Sequence, residues 1–256
     1  MEWASTGGCM MRTSRDLFAA TVLLLLLCGE FAFAQDSRAA DILAQVAKKN
    51  RERQAMLGAY CSDRVYRIEY RGVGGLHTAR MEVHAEYRAP GVKHFTVTSE
   101  TGSKAFGDKV LRRLIESEEE SSKAENQVQM MVSADKYDAT LVGQEAIRGV
   151  NAWVLDVKPK EPSKFNYDGR IWVSQDDLAI MRVVGHPAKN PSWLVNRTDF
   201  DSEYQRVGIF WLMAKNTTVS HVRVGGEATL TIDYGKYTVD TLPEKVQTAR
   251  VVSEGH

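Results

Sequence analysis

Downstream of Phe165 the chain is a succession of extended runs that can bury their apolar residues only by pairing with one another. The stretch FNYDGRIWVSQDDLAIMRVVGHP reads as two strands meeting at Ser174-Gln175-Asp176-Asp177. RTDFDSEY, IFWLMAKNTTVSHVRV and ATLTIDYGKY follow, separated by Gly208 and by Gly225-Gly226. β-Branched and aromatic residues fill these runs and polar turn residues punctuate them, as in antiparallel strands. In the first hairpin Ile171, Val173, Ala179, Met181 and Val183 alternate with Arg170, Trp172, Ile180, Arg182 and Val184. The odd set is expected to meet a core and the even set a wetter surface. In the last run Ala228, Leu230, Ile232 and Tyr234 share one face and Thr229, Thr231 and Asp233 the other. A sheet with one apolar face requires a cover.

The upstream half holds a helix, a strand meander and an insert, residues 104–133, that is a natural cover for the sheet. Residues 38–60 place Ile42, Leu43, Val46, Met56, Leu57 and Tyr60 at helical spacing, with Lys48, Lys49, Arg51 and Glu52 between them, which predicts an amphipathic helix capped by Asp36 or Ser37. RVYRIEYRG, LHTARMEVHAEYR and KHFTVTSE predict a three-strand meander with turns at Gly72–Gly75 and Pro90-Gly91. Closing the second turn on Arg88 and His94 sets Tyr87 against Phe95 and Ala85 against Val97, and leaves His84, Glu86, Thr96 and Thr98 on the other face. Residues 104–133 then break the strand pattern. Val110, Leu111, Leu114 and Ile115, and later Val128, Met130, Met131 and Val132, predict one or two helices separated by Glu116–Ser122. YDATLVGQEAI and VNAWVLDVKPK form a hairpin across Arg148-Gly149, with Trp153, Leu155 and Val157 on one face. TARVVSEGH at the end is expected to be loose.

Arg12 and Arg15 precede an apolar block from Leu17 to Leu27, and Ala32-Phe33-Ala34 sets small residues where a signal peptidase reads them. Residues 1–34 are therefore expected to be a secretory signal peptide, cut between Ala34 and Gln35, delivering residues 35–256 to the periplasm as a single domain. The block is too short, and too soon followed by Glu30, for a spanning helix. Two of 33 basic and three of 33 acidic residues leave with it, so 31 stand against 30. That balance argues against a nucleic-acid partner. Of three cysteines only Cys61 follows the cleavage point, so neither an intramolecular disulfide nor a cysteine metal cage is available to the mature chain.

Motifs of catalysis are missing: the chain holds no G-x-S-x-G, no phosphate-cradling loop and no H-E-x-x-H. His84 and His94 fall diagonally on one strand face and read as a surface pair, short of the four ligands of a closed zinc site. Cys61 reads as an idle or buried thiol, and Asp176-Asp177 as turn residues. The acidic run Glu116, Glu118, Glu119 and Glu120 reads as a solvated helix end or loop. Asn196-Arg197-Thr198 and Asn216-Thr217-Thr218 match the glycosylation sequon. No catalytic residue, metal or cofactor is assigned. What remains is apolar: Tyr87, Phe95, Val97, Leu111, Leu114, Met130 and Met131 from the upstream half, and Trp153, Leu155, Met181, Trp211 and Met213 from the long sheet, are candidates to line a cavity between sheet and helices. An ordinary packed core is the competing reading of the same residues.

This order of elements resembles the LolA-like family, which includes the LolB and RseB relatives, over residues 38–240. AMLGAYCSDRVYRIEY, RIWVSQDDLAIMRVVGH and IFWLMAKNTTVSHVRVGGEATLTIDYGKY carry the likeness. The resemblance implies an α+β fold, a half-open antiparallel β-barrel covered by an α-helical lid at about 104–133, with an apolar interior that receives a lipid or lipoprotein acyl chain. It also implies a monomeric, non-enzymatic periplasmic carrier in outer-membrane lipoprotein sorting or, in the manner of RseB, a sensor with a membrane-protein partner. In the LolA carriers an arginine ties lid to barrel; no motif here marks Arg67, Arg71 or another arginine as its match. The extended connection His186–Trp193 departs from a compact carrier.

Overall fold

The computed structural model describes residues 37–190, 195–223 and 225–242. The predicted signal peptide, residues 191–193 of the His186–Trp193 connection and the terminal TARVVSEGH lie outside the described residues. Residues 37–56 form helix α1. Strands β1 (Leu57–Gly72), β2 (Gly75–Arg88) and β3 (Val92–Gly102) follow as a meander. Then comes a helical insert: α2 (Lys104–Phe106), a π-helical turn (Gly107–Leu111), α3 (Arg112–Ser121) and α4 (Ala124–Met130). Seven more strands follow among the described residues: β4 (Tyr137–Ile147), β5 (Val150–Pro159), β6 (Tyr167–Ser174), β7 (Ile180–Pro187), β8 (Val195–Val207), β9 (Phe210–Val222) and β10 (Glu227–Thr241).

All ten strands join one antiparallel sheet in the order β3-β2-β1-β10-β9-β8-β7-β6-β5-β4. Two meanders are sewn together where β1 pairs with β10, and the sheet stays open, with β3 and β4 at its edges. The insert connects those two edge strands, so the chain crosses from one margin of the sheet to the other through helix. The hairpins follow their turn chemistry. Arg148 and Gly149 both have positive φ (51° and 79°), the conformation that a two-residue turn needs to match strand twist.

One face of the sheet carries two apolar clusters, each with its own helical cover. Over β4–β7, α1 sets Ala39, Ile42, Leu43 and Val46 against Leu155, Val157, Ile171, Val173 and Val183. Over β1, β2, β3 and β10, the insert sets Leu111 and Ile115 against Tyr66, Ile68, Met81, Val83, Phe95 and Ile232. The insert was expected to be the sheet's cover; α1 covers the other half.

Several expectations are corrected. Helix α1 ends at residue 56 and Leu57 opens β1, because Leu57 pairs with Thr241 and the Leu242 amide donates to the Met56 carbonyl (2.9 Å). Arg88 closes on Val92, so Ala85 faces Phe95 and Tyr87 faces Lys93, two residues from the predicted register. A two-residue shift preserves side-chain parity, which is why the faces were right while the partners were not. The helical insert breaks at Ser122-Lys123, and Glu116–Ser121 is helix. In β7 a bulge opposite Trp172 and Val173 reverses parity: Ile180 takes the inner face, and Met181 joins Trp172, Val154 and Ala152 in a cluster on the other. That outer face is drier than alternation alone implies. Trp172 is buried beneath Arg182 (5.0 Å to the ring) and donates to Glu145 (2.8 Å).

Leu43 is fully buried between α1 and the sheet. Leu43→Ala is expected to destabilise the protein by about 2–5 kcal/mol, whereas exposed Lys48→Ala changes stability by no more than about 0.5 kcal/mol; urea denaturation followed by tryptophan fluorescence distinguishes the two.

Candidate functional site

A buried arginine sits where the insert meets the sheet. Arg64 shares the inner face of β1 with Ser62, Tyr66 and Ile68, and its side chain is 1% exposed. A guanidinium in such a place requires charge compensation. Glu118 of α3 provides it: Nη1 of Arg64 donates to Oε1 at 2.6 Å. Lys93 of β3 donates to the same oxygen at 2.9 Å, and the Tyr66 hydroxyl reaches Oε2 at 3.2 Å. Aromatic rings enclose the guanidinium, with its Cζ 4.7 Å from the Tyr234 centroid and 5.3 Å from that of Phe95, distances at which cation–π attraction operates.

Local backbone irregularity builds this nest. Between Ser62↔Tyr237 and Arg64↔Tyr234 the β1–β10 register shifts, so Tyr234 and Tyr237 both turn inward around Arg64. Gly235 lies in that bulge, where a Cβ would come within 2.6 Å of the Asp63 carbonyl oxygen. Ser62 accepts from Nε of Arg64 at 3.3 Å, and Tyr237 donates to the Met213 carbonyl at 2.9 Å.

Burial works to raise the Glu118 carboxyl, but Lys93 and Arg64 outweigh it and hold the pKa at about 2, below its ordinary 4.5. Burial opposes the charge on Arg64 and Lys93 too, and Glu118 reverses that, raising both. Desolvation pushes Tyr66 and Tyr234 upward, with Glu118 adding to it. Glu118 is therefore ionised and committed near neutral pH, in contrast to the solvated helix end expected of its acidic run.

Beside this cluster lies a cavity of about 620 Å³. One face of α3 roofs it with Leu114, Ser117, Glu118 and Ser121, and Met130 and Met131 close it at the end of α4. Its floor crosses the sheet from Lys93 (β3) through Tyr87 (β2), Tyr66 (β1) and Leu230, Ile232 and Tyr234 (β10) to Met213 (β9) and Tyr204 (β8). A second compartment of about 320 Å³ continues over β8, β7 and β6, lined by Tyr204, Ile180, Ala179 and Tyr167, with Phe165 and Leu212. The two share Asn50, Gln54, Leu57, Met130, Met131 and Tyr204. Together they form a trough in the seam between the two helical covers.

Of the residues expected to line a cavity, Tyr87, Leu114, Met130, Met131 and Met213 border the larger compartment, and Trp211 the smaller. Phe95, Val97 and Leu111 belong to the cluster beneath α3. Trp153 and Leu155 belong to the cluster beneath α1, and Met181 lies on the opposite face of the sheet. The residues missed include the polar or charged Lys93, Glu118, Asn216 and the tyrosines 66, 204 and 234, and the apolar Leu57, Leu230, Ile232, Ile180, Phe165 and Leu212. A signal for Glu118 was present, since it follows Leu111, Leu114 and Ile115 by seven, four and three residues and so continues their stripe. Asn216 of the second sequon faces inward, bonded to Ser202 and Thr218. His84 is bonded to Asp63 at 2.7 Å, and among the described residues no three His, Cys, Asp or Glu side chains are grouped to hold a metal. Among the described residues, too, no helix is long and apolar enough to cross a membrane.

A family model described only as "Uncharacterized protein" matches residues 122–253, just over half of the sequence. The chain belongs to that family. No curated protein matches it. Solved structures similar to it include a DUF1329 family protein from Desulfovibrio piger (16% identity, 79% of this chain and 93% of that one, TM-score 0.42). Others are a putative outer membrane lipoprotein-sorting protein domain from Vibrio parahaemolyticus (11%, 85% and 99%, 0.40) and a LolA superfamily protein from Nitrosomonas europaea (11%, 81% and 96%, 0.34). MucB of Pseudomonas aeruginosa, solved in complex with MucA, is similar at a TM-score of 0.27. LolA-superfamily and MucB proteins are thus among the neighbours, as the LolA-like resemblance has it; likenesses this distant say nothing of ligand or partner.

Glu118→Ala is expected to destabilise the protein by about 3–5 kcal/mol, because it strands Arg64 in an apolar nest, while Arg64→Met combined with Glu118→Leu costs much less; thermal denaturation of the three proteins tests this. Since the folded Glu118 pKa is depressed, its contribution is complete above pH 4.5 and is lost as pH falls towards about 2. Hydrogen exchange corrected for intrinsic rates is expected to show α3 amides losing protection across that interval ahead of those in β5 and β6.

Proposed function

We propose that this is an exported, non-catalytic binding protein that holds the acyl chain of a lipid or lipoprotein in the trough, with the sheet acting as a half-open barrel and residues 104–133 as its lid. The cavity carries the reading: about 620 Å³ lies within the range of small-molecule sites, about 300–1,000 Å³. Its apolar wall includes Met130, Met131 and Met213, whose unbranched side chains adapt to flexible occupants. Burying each methylene contributes about 0.8 kcal/mol, so a chain needs no covalent step to be retained. Glu118 supports a binding role over acid–base catalysis. A carboxyl held at about 2 by two cations is poorly matched to proton transfer near neutral pH. Export is supported by the apolar block Leu17–Leu27 and the Ala32-Phe33-Ala34 site, and periplasmic acyl carriage in lipoprotein sorting is the process in which we place it. The protein works as a monomer on this reading.

The protein, expressed with its leader and purified from the periplasm, is expected to carry lipid in native mass spectra and to release a fluorescent fatty-acid probe when lipid is added. Met213→Trp, filling the trough midway, should weaken probe binding at least tenfold while circular dichroism stays unchanged. Wild-type protein that is lipid-free and takes up no probe would sink the proposal.

A further inference from the structure

We infer that the trough selects amphiphiles with an anionic headgroup, and that Lys93 is the residue that meets the acid. This rests on the trough being an acyl site and adds the chemistry of the occupant's polar end. Two cations serve one carboxylate: Arg64 and Lys93 both donate to Oε1 of Glu118, at 2.6 and 2.9 Å. The two are placed differently. Arg64 lies behind the cavity wall, its guanidinium between the rings of Tyr234 and Phe95, whereas Lys93 and Glu118 border the cavity itself. An ammonium has three donors, so Lys93 can bridge Glu118 and an incoming acid while Glu118 keeps Arg64 and the Tyr66 hydroxyl. The surplus positive charge sits where water is scarce, and an anion there is favoured over a neutral group.

Polarity along the trough gives the occupant a direction. At the Lys93 end the wall is polar, with Ser117, Ser121 and Gln127, and Ser122 ties α3 to the β2–β3 turn through the Gly91 carbonyl (3.0 Å). Across the strands from β3 towards β6 the floor runs through Ile232 and Met213, with Asn216 and Thr218 beside them, to Ile180 and Leu212 in the second compartment, where Arg53 is bonded to the Asp177, Leu178 and Ile209 carbonyls. An acid at Lys93 with its hydrocarbon laid across the strands satisfies both ends.

The test compares palmitate, palmityl alcohol and lysophosphatidate as competitors of a neutral fluorescent probe on the full mature protein, with Lys93→Met and Lys93→Arg. Wild type is expected to bind palmitate at least tenfold tighter than the alcohol, since a hydrogen bond to a charged group is worth about that factor. Lys93→Met should erase the difference by weakening palmitate alone, and Lys93→Arg should keep it. Lysophosphatidate binding well beyond palmitate would assign the acid as a phosphate, and the reverse order as a carboxylate. Acid and alcohol binding wild type equally would overturn the inference and leave the acyl site standing. That comparison needs no variant, so it holds even if Lys93→Met fails to fold. No binding of any amphiphile would remove the acyl site and the inference together.

Discussion

A guanidinium placed among Tyr66, Phe95 and Tyr234 is unstable without a counter-charge, and among the described residues the carboxylate bonded to it arrives on α3, 54 residues along the chain. The cluster beneath the insert has few buried anchors from the helices, Leu111 and Ile115. Apolar contact alone tolerates sliding, because burial is nearly indifferent to direction. A charge pair of 2.6 Å with a second cation and a phenol on the same carboxylate is not indifferent, and it sets where α3 lies along β1 and β3. The register of the insert follows from electrostatics more than from its hydrophobic stripe.

Stability by itself is a weak reason for such a cluster, since well-packed apolar residues commonly do as well. The ionic version differs in what separating the two parts would expose. An apolar latch would leave a greasy patch on both parts, whereas Arg64, Lys93 and Glu118 regain hydration when separated. Charges therefore fix the insert without adding apolar surface to either part. The seam has the complementary property: α1 ends at residue 56 and α4 at Met130, and the central strands between them present Tyr204, Met213 and Asn216, too few large apolar groups to fill the space.

Much of this architecture was legible in the sequence, because strand parity survives most errors. The β2–β3 register was two residues out, yet Tyr87 and Phe95 still fell on the buried face. Parity fails only where an odd residue enters. In β7 the bulge sent Met181 outward and Ile180 inward, and no local composition marks that place. The site was less legible than the fold for a different reason. Glu118 was read as part of a solvated helix end because charge is usually solvated, although it continues the stripe of Leu111 and Leu114, and Arg64 was not singled out although it alternates with Tyr66 and Ile68. Period and polarity disagreed at those positions, and the disagreement was itself the signal.

Near-neutral composition, 33 basic against 33 acidic residues, hides how unevenly charge is matched inside. On the outer surface pairing is largely one to one, as in Arg170 with Asp156 and Arg182 with Asp201, and water screens what is left over. Within the nest two cations face one carboxylate, and the surrounding rings and aliphatic chains screen little. An excess of one positive charge there acts more strongly on its surroundings than one on the surface, because the interaction grows as the local dielectric falls. A second carboxylate bonded within the nest would have neutralised it and tightened the insert's hold. Without it, two cations share one carboxylate at the wall of the trough.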